Sequence, residues 1–308
     1  MAAPQVRGTF PQLYDNVEKD FKAILRDTLK ELPAISRKLF NEEKSDKKFE
    51  RRNTITPFGD VPEKPEGDVY AMDLIRPGYQ TDFTHIEFGM GFEHTQTAKE
   101  DDQYDILAKA TEWLAFSARY VQEKYAARVF NNGFSTQLAP DALALFHSAH
   151  ILKGGGTAKN TLSTAADLSP TSLQNAMVDV QTDTKLESGQ LVMPITEWIL
   201  LVPPALEMLA DRIVNSSGLA GTAENDRNPL KYRRSIEIVV WPLLTDTDAW
   251  FLIPASKKMH GLLTFNRVPV TNVPSDVDPY SGNQILKIRF RRSWGDEFWQ
   301  GVYGVPGA

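Results

Sequence analysis

The chain has 308 residues, of which 42% are hydrophobic and 24% are charged, and its formal net charge is −6. These proportions are those of an ordinary globular protein, and the length allows one large domain or two smaller ones with real cores. The absence of cysteine excludes disulfides and thiolate metal sites and fits a reducing cytosol.

Targeting segments are not expected. No apolar run reaches the ~18 residues that a membrane span needs, and the first residues lack the apolar stretch of a secretory signal. The acidic balance argues against a protein whose main task is to wrap nucleic acid, because such proteins carry a basic excess. It leaves open a container that only encloses nucleic acid.

Residues 1–52 are predicted to form an N-terminal arm. Between Leu13 and Phe40 apolar residues recur at helical spacing, and Pro33 is expected to interrupt that helix. From Arg37 to Arg52 the chain has seven Lys or Arg and four Asp or Glu. This composition predicts a solvated, slightly basic tail.

Residues 53–100 are predicted to form an extended β-hairpin. The segment opens with turn formers, and a strand with one apolar face follows. That face consists of Ile86, Phe88, Met90 and Phe92. Because a two-stranded hairpin is only marginally stable in water, the face needs a covering surface.

One long helix is predicted from about Asp102 to Phe130, spanning about 40 Å at the usual rise per residue. Asp101 and Asp102 are N-cap candidates, and the run Asn131–Gly133 is a stop signal. The predicted apolar stripe consists of Ile106, Ala110, Trp113, Leu114, Val121, Tyr125 and Val129.

The second half of the chain alternates helices and strands. A helix is predicted from the Ser169–Pro170 cap and another from Pro203 and Pro204, with a buried strand at Trp198–Val202 before the latter. A long polar loop is predicted over 215–234. Further strands are predicted at 236–240, 250–253 and 285–291, which gives an α+β architecture.

No motif predicts catalysis, and no catalytic, cofactor-binding or metal residue is assigned. His147 and His150 are three residues apart, but zinc needs a third ligand, and the nearest carboxylate is Asp141. The glycine run 154–156 lacks the spacing of a phosphate-binding loop, and no GxSxG elbow is present. The aromatic residues near the C-terminus are expected to pack the terminal segment rather than to stack on bases.

The order of these signals carries a family resemblance. The chain reads FGMGFEHTQTAKEDDQYDILAKATEWLAFSARYVQEKYAARVFNNGF, then DALALFHSAHILKGGGTAKN, and later WILLVPPALEMLADRIVNS, IEIVVWPLL and AWFLIP. Over roughly residues 70–270 it resembles the major capsid proteins of tailed bacteriophages, whose shell fold is named after phage Hong Kong 97.

The resemblance implies a division of the chain. It implies an N-terminal arm (1–52) and an extended hairpin loop (53–100) that reaches over an adjacent subunit. It implies a peripheral domain with the long spine helix (101–170 with 271–308). It further implies an axial domain (171–270) that meets its copies around a five- or six-fold centre. On this basis Ile86, Phe88, Met90 and Phe92 are expected to lie at a subunit interface, and the arm to lie on a neighbouring subunit or to touch DNA, or else to be a plain surface helix and linker.

The function implied is that of a structural virion protein without enzymatic activity or cofactor. Its copies would form pentamers and hexamers of an icosahedral shell that encloses double-stranded DNA without sequence-specific binding. Expected partners are further copies and head proteins such as scaffold, portal or decoration protein, with no membrane involved. The expected location is the virion capsid, assembled in the host cytoplasm. The alternatives are an encapsulin-like nanocompartment shell and a cytosolic α/β hydrolase or transferase, whose expected motif is not found.

Overall fold

The computed structural model describes residues 10–95, 106–191, 195–218, 227–233, 235–273 and 283–308, with side chains from residue 21 onward. The helices are α1 (Phe10–Glu31), α2 (Ser36–Leu39), α3 (Ile106–Asn131), α4 (Pro170–Thr182), α5 (Glu207–Asn215, after a 3-10 turn at Pro204–Leu206) and α6 (Pro229–Arg233). The strands are β1 (Asn41–Lys44), β2 (Phe49–Thr56), β3 (Arg76–Thr84), β4 (Ile86–His94), β5 (His150–Ile151), β6 (Thr157–Ala158), β7 (Glu197–Val202), β8 (Ser235–Val240), β9 (Trp250–Pro254), β10 (Leu262–Val273), β11 (Gln284–Asp296) and β12 (Tyr303–Val305).

Two four-stranded sheets organise these elements. The first has the order β1-β10-β11-β4 and the second the order β12-β9-β7-β8. Only β1 with β10 and β7 with β8 run parallel among the strands in the described ranges. Strands β2 and β3 form a separate two-stranded ribbon, and β5 and β6 a short hairpin. No helix in the described part of the chain is long and apolar enough to cross a membrane.

The long helix α3 joins the two sheets. Its N-terminal half buries Leu114, Ala115 and Ala118 against α1 and β11. Its C-terminal half buries Ala126, Ala127 and Phe130 against the second sheet. Alanine at this spacing lets other elements approach the helix closely, so α3 forms the spine of the protein. The predicted helix is confirmed from residue 106 onward, and its proposed cap at Asp101 and Asp102 lies outside the described residues.

Strand β7 is buried on both faces. Trp198, Leu200 and Val202 pack towards α4 and α5, whereas Ile199 and Leu201 pack towards the end of α3. A strand covered on both faces needs apolar residues at every position, which explains the absence of alternation in its sequence.

Helix α4 begins where its cap predicts. The hydroxyl of Ser169 accepts a hydrogen bond from the backbone N–H of Ser172, and the hydroxyl of Ser172 accepts one from the backbone N–H of Ser169. Pro170 occupies the first helical position, where its missing N–H has no cost. The predicted strands β8, β9 and β11 and the proline-initiated helix before residue 215 are confirmed as well.

The predicted solvated tail is wrong. Leu39 and Phe40 are fully buried in the main core, and β1 enters the first sheet beside β10. The charged residues of this segment form ion pairs, Glu42 with Arg292 and Glu43 with Arg52. The buried residues Leu39 and Phe40 therefore anchor the segment to the core, although its many charged residues predict a solvent-exposed tail.

The strand with the apolar face, β4, is not part of the hairpin that residues 53–100 were predicted to form. Strand β3 pairs with β2 rather than with β4, and β4 pairs with β11 from His94–Gln284 to Ile86–Arg292. The apolar alternation of β4 matches that of Leu286, Ile288 and Phe290, which lie far along the chain, and local patterns do not reveal such partners. Gly91 fits this pairing, because a Cβ there would lie 2.6 Å from the Leu286 carbonyl oxygen.

The two sheets do not separate at residue 270, where the boundary between the axial and peripheral domains was predicted. Strand β10 starts at Leu262 yet belongs to the first sheet, and the C-terminal strand β12 belongs to the second sheet. The chain therefore crosses between the sheets near residue 260 and returns near residue 300.

Candidate interaction surfaces

The β2–β3 ribbon projects a long exposed loop. Arg51 pairs with Asp82 across the ribbon through two hydrogen bonds of 2.7 Å. Towards the loop end of the ribbon, the Tyr79 hydroxyl donates to the Ile151 carbonyl oxygen at 2.8 Å, and the Lys153 ammonium lies 4.0 Å from the centre of the Tyr79 ring. The Tyr79 contacts hold the ribbon against the body of the subunit close to the point where its loop begins.

The loop 57–75, which we call the ribbon loop, exposes apolar side chains. Val61 is 94% exposed and Met72 is 91% exposed. Other large apolar side chains exposed in the ribbon loop are Phe58, Val69, Tyr70, Leu74 and Ile75. Single exposed apolar residues are common, but a concentration of them marks an interaction site. The ribbon loop lies within the predicted extended hairpin loop 53–100, but the interface residues were predicted on β4 and not here, although the apolar run VYAMDLI was an available signal.

A cavity of about 410 Å³ separates the ribbon from the body of the subunit. It is lined on the ribbon side by Ile55 and Tyr79 and on the other side by Pro140, Phe298 and Trp299. Its walls are mostly apolar, and it lies beside the Tyr79 contacts near the loop end of the ribbon.

The predicted interface face of β4 is divided between core and surface. The ring of Phe88 stacks on Phe290 at 4.8 Å and meets Tyr125 edge-on at 4.8 Å, so it is packed within its own subunit. Phe92 packs against the same cluster. In contrast, Met90 is 60% exposed, and Ile86 is exposed as well.

The outward face of α3 carries an aromatic stripe formed by Trp113, Phe116 and Tyr120. The rings of Trp113 and Phe116 lie 5.8 Å apart, and those of Phe116 and Tyr120 lie 6.5 Å apart. Trp113 was predicted to face the core, but it is 68% exposed, so that prediction is wrong. The buried side of the helix is instead formed mainly by alanines, which a search for large apolar residues does not weigh.

Exposed charges flank the aromatic stripe. Among the residues of α3 from 106 onward, Lys109, Lys124 and Arg128 lie on the same outward face, together with one acid, Glu112. The stripe is therefore aromatic and, in balance, basic.

Of the two histidines weighed as metal ligands, His150 is buried and His147 is half-buried. The rings of His147 and His150 are 5.8 Å apart. His150 Nδ1 lies 2.8 Å from Asp141 Oδ2, and both side chains are fully buried. Burial acts to raise the pKa of Asp141, but the hydrogen bond and charge of His150 outweigh it and hold that pKa below its ordinary value. Among the described residues no three His, Cys, Asp or Glu side chains converge on one point as metal ligands would.

Comparison with known proteins gives one consistent answer. The sequence model of a family described as phage capsid protein matches residues 78–305. The fold is similar to that of the cyanophage P-SCSP1u capsid, with a TM-score of 0.61 and 11% identity over 90% of this chain and 88% of that chain. It is also similar to the procapsid of bacteriophage JBD30, with a TM-score of 0.56 and 14% identity over 97% and 76% of the two chains. A virus-like particle from Pyrococcus furiosus matches with a TM-score of 0.52 and 10% identity over 93% and 98%. No curated protein matches the sequence significantly.

Proposed function

The chain belongs to the phage capsid protein family, and from this we infer that its copies form pentamers and hexamers that close into an icosahedral shell around double-stranded DNA. As a major capsid subunit it is a structural protein and not an enzyme, and it associates with itself. The α+β fold is that of assembled phage capsids. The contacts between copies and the contents of the shell are the proposed parts of this function.

The observation that carries the proposal is the ribbon loop. A single subunit leaves its apolar side chains in water, which is unfavourable by about 25 cal/mol for each Å² of apolar surface. A second copy that covers the loop removes this cost. Each such contact can be weak, because many identical contacts act together in a closed shell.

The aromatic stripe has the chemistry to receive the ribbon loop of a neighbour. The loop carries the acids Asp60, Glu63, Glu66, Asp68 and Asp73 but only one base, Lys64. The stripe pairs exposed aromatic rings with an excess of basic residues. Apolar surface thus meets apolar surface, and acids meet bases, which favours one orientation of the two copies.

The exposed part of β4 is a second candidate contact. Ile86 and Met90 present apolar side chains on the edge strand of the first sheet. We retain these two residues as interface candidates, whereas the packing of Phe88 and Phe92 assigns them to the subunit's own core.

The acidic net charge of −6 suits a container wall rather than a DNA-gripping protein. We propose that the shell encloses DNA without reading its sequence, and that assembly takes place in the host cytoplasm. Scaffold, portal and decoration proteins of the same head are the expected further partners.

The second candidate function is a nanocompartment shell that encloses proteins. The observation that favours it is the similarity to a virus-like particle from Pyrococcus furiosus. The contents of particles purified from the native source distinguish the two. After nuclease treatment of the exterior, protected double-stranded DNA supports the head shell, and a protected protein cargo without DNA supports the compartment.

A further inference from the structure

The cavity between the ribbon and the body of the subunit has the size of a small-molecule site. Its volume is about 410 Å³, which lies within the range of roughly 300–1,000 Å³ that is typical of ligand pockets. Such pockets have mostly apolar walls with a few polar groups that fix the orientation of the ligand. Because the ribbon and the body each form part of the wall, an occupant would contact both.

Aromatic side chains form much of the apolar wall. Tyr79 comes from the ribbon, and Phe298 and Trp299 come from the segment after β11. The side chain of Trp299 is buried, and its indole N–H has no acceptor in the described part of the chain. The face of an aromatic ring attracts a cation, most strongly where water is excluded. The wall therefore suits an apolar ligand, and its rings favour one that carries a positive charge.

The charged residues of the wall favour the same kind of ligand. Among the described residues that line the cavity, Glu187 and Glu297 are acidic and none is basic. Glu187 is buried, and its carboxylate accepts hydrogen bonds from the Lys153 backbone N–H and from Gln300 Nε2, both at 2.9 Å. Both of these donors are uncharged, so they stabilise the carboxylate without neutralising its charge.

The second acid, Glu297, is half-buried. Burial raises its pKa, because the charged carboxylate loses part of its hydration. Arg52 acts to lower this pKa and Glu43 acts to raise it, and these two residues form an ion pair with each other. Their effects on Glu297 are therefore opposed. A cation bound in the cavity beside Glu297 would compensate a charge that the subunit leaves largely uncompensated.

One cation of the protein lies close to the cavity without lining it. The Lys153 ammonium is 4.0 Å from the centre of the Tyr79 ring, which shows that this ring accepts a cation. Burial, and then the charges of Glu187 and Asp141, raise the pKa of Tyr79. Negative charge therefore outweighs positive charge at the ribbon wall, even with Lys153 nearby.

We propose that the cavity binds a small organic cation, an ammonium or guanidinium group on an apolar body, with the body against the aromatic rings and the charged group near Glu187 and Glu297. A neutral ligand would leave both acids uncompensated, and an anion would be repelled. The bound cation would join the ribbon to the body near the start of the ribbon loop. The site lies within one subunit, so it does not depend on the proposed contacts between copies.

Saturation-transfer NMR titration of the full-length chain tests the site, because it measures weak ligands on subunits and on assembled particles alike. Three probes share a phenoxy body and differ in charge at neutral pH. They are 2-phenoxyethylamine, a cation, 2-phenoxyethanol, which is neutral, and phenoxyacetate, an anion. We expect the amine to bind on the order of tenfold more tightly than the alcohol, and phenoxyacetate to show no binding.

Two substitutions in the wall test the position of the ligand. Glu297→Gln keeps the shape of the side chain and removes its charge, so affinity for the amine should fall on the order of tenfold while affinity for the alcohol is unchanged. Ile55→Lys places an ammonium on the ribbon wall, at an exposed position that tolerates the change, and should abolish binding of the amine. Glu207→Gln, at an exposed acid of α5, is the matched control and should bind all three probes as the wild type does.

Equal affinities of the wild type for the amine and the alcohol would overturn the proposal, as would absence of amine binding at millimolar concentrations. An unchanged affinity for the amine in Glu297→Gln would also overturn it. If Glu297→Gln does not fold, Ile55→Lys provides the decision, because amine binding that persists in that variant would place the ligand outside the cavity.

Discussion

The Glu123 carboxylate on the spine helix accepts two hydrogen bonds from Ser36, one from its backbone N–H at 2.9 Å and one from its hydroxyl at 2.5 Å. Ser36 is the first residue of α2, where backbone N–H groups have no partner within the helix. The buried acid of α3 therefore caps α2 and ties the N-terminal segment to the spine.

Glu123→Ala should destabilise the subunit by about 1–3 kcal/mol, because it leaves a buried N–H without an acceptor. Urea unfolding followed by far-UV circular dichroism measures the change. Lys124→Ala is the control on the exposed side of the same helix, and its effect should stay within about 0.5 kcal/mol. Equal effects of the two substitutions would show that the cap contributes nothing.

On the spine helix, the adjacent residues Leu114 and Trp113 face the core and the solvent, respectively. Leu114→Ala should cost about 2–5 kcal/mol, since Leu114 is buried. Trp113→Ala should leave the melting temperature of the isolated subunit nearly unchanged and reduce assembly. A large loss of subunit stability in Trp113→Ala would contradict the exposed position of that ring.

The apolar face of β4 also contains one packed residue, Phe88, and one exposed residue, Met90, whose substitutions should have different effects. Phe88→Asp places a charge among Phe290, Tyr125 and Trp294, and we expect the subunit to unfold or to melt far earlier. Met90→Asp should keep the melting point and impair particle formation. If Met90→Asp assembles like the wild type, Met90 is not part of a subunit contact.

Local signals in the sequence predict most elements but not their partners. The cap at Ser169, the apolar run of β7 and the stop after α3 each depend on a few neighbouring residues, and all three predictions are confirmed. The pairing of β4 with β11 depends on residues far apart in the chain. The alternation of one strand does not identify a partner of similar alternation elsewhere in the chain, so the sequence led to a hairpin within residues 53–100 for β4 and not to its pairing with β11.

The surfaces were harder to predict for a different reason. Trp113 follows the helical spacing of a core residue, yet the subunit leaves it exposed, because apolar pattern alone does not separate burial in a core from burial in an interface. The contacts of His150 with Asn160 and Trp299 escaped prediction, because these residues meet the histidine only in the fold. The spacing of His147 and His150 pointed to the right loop without indicating its role.

Acid should weaken the subunit through His260. Burial lowers the pKa of His260 to about 4, from an ordinary value of 6.5. The unfolded chain therefore binds a proton that the folded chain excludes. The stability linked to this group is complete above about pH 6.5 and falls by roughly 3 kcal/mol as the pH drops to 4.

Replacement of His260 by glutamine, which does not titrate, should remove this loss of stability at low pH. Urea unfolding at pH 7.5, 5.5 and 4.5 should show a shallower decline for His260→Gln than for the wild type. Parallel declines in the two proteins would mean that His260 is protonated or solvated in the folded state.

The central claim is that subunits assemble through the ribbon loop, and a measurement of particle formation tests it most directly. Sedimentation velocity with electron microscopy should show that wild-type subunits of 34.6 kDa form closed megadalton shells. Met72→Asp should give subunits or small oligomers with an unchanged melting point, and Glu66→Asp, in the same loop, should assemble like the wild type. A wild-type protein that remains a small oligomer, or a Met72→Asp variant that closes shells as the wild type does, would contradict assembly through the ribbon loop.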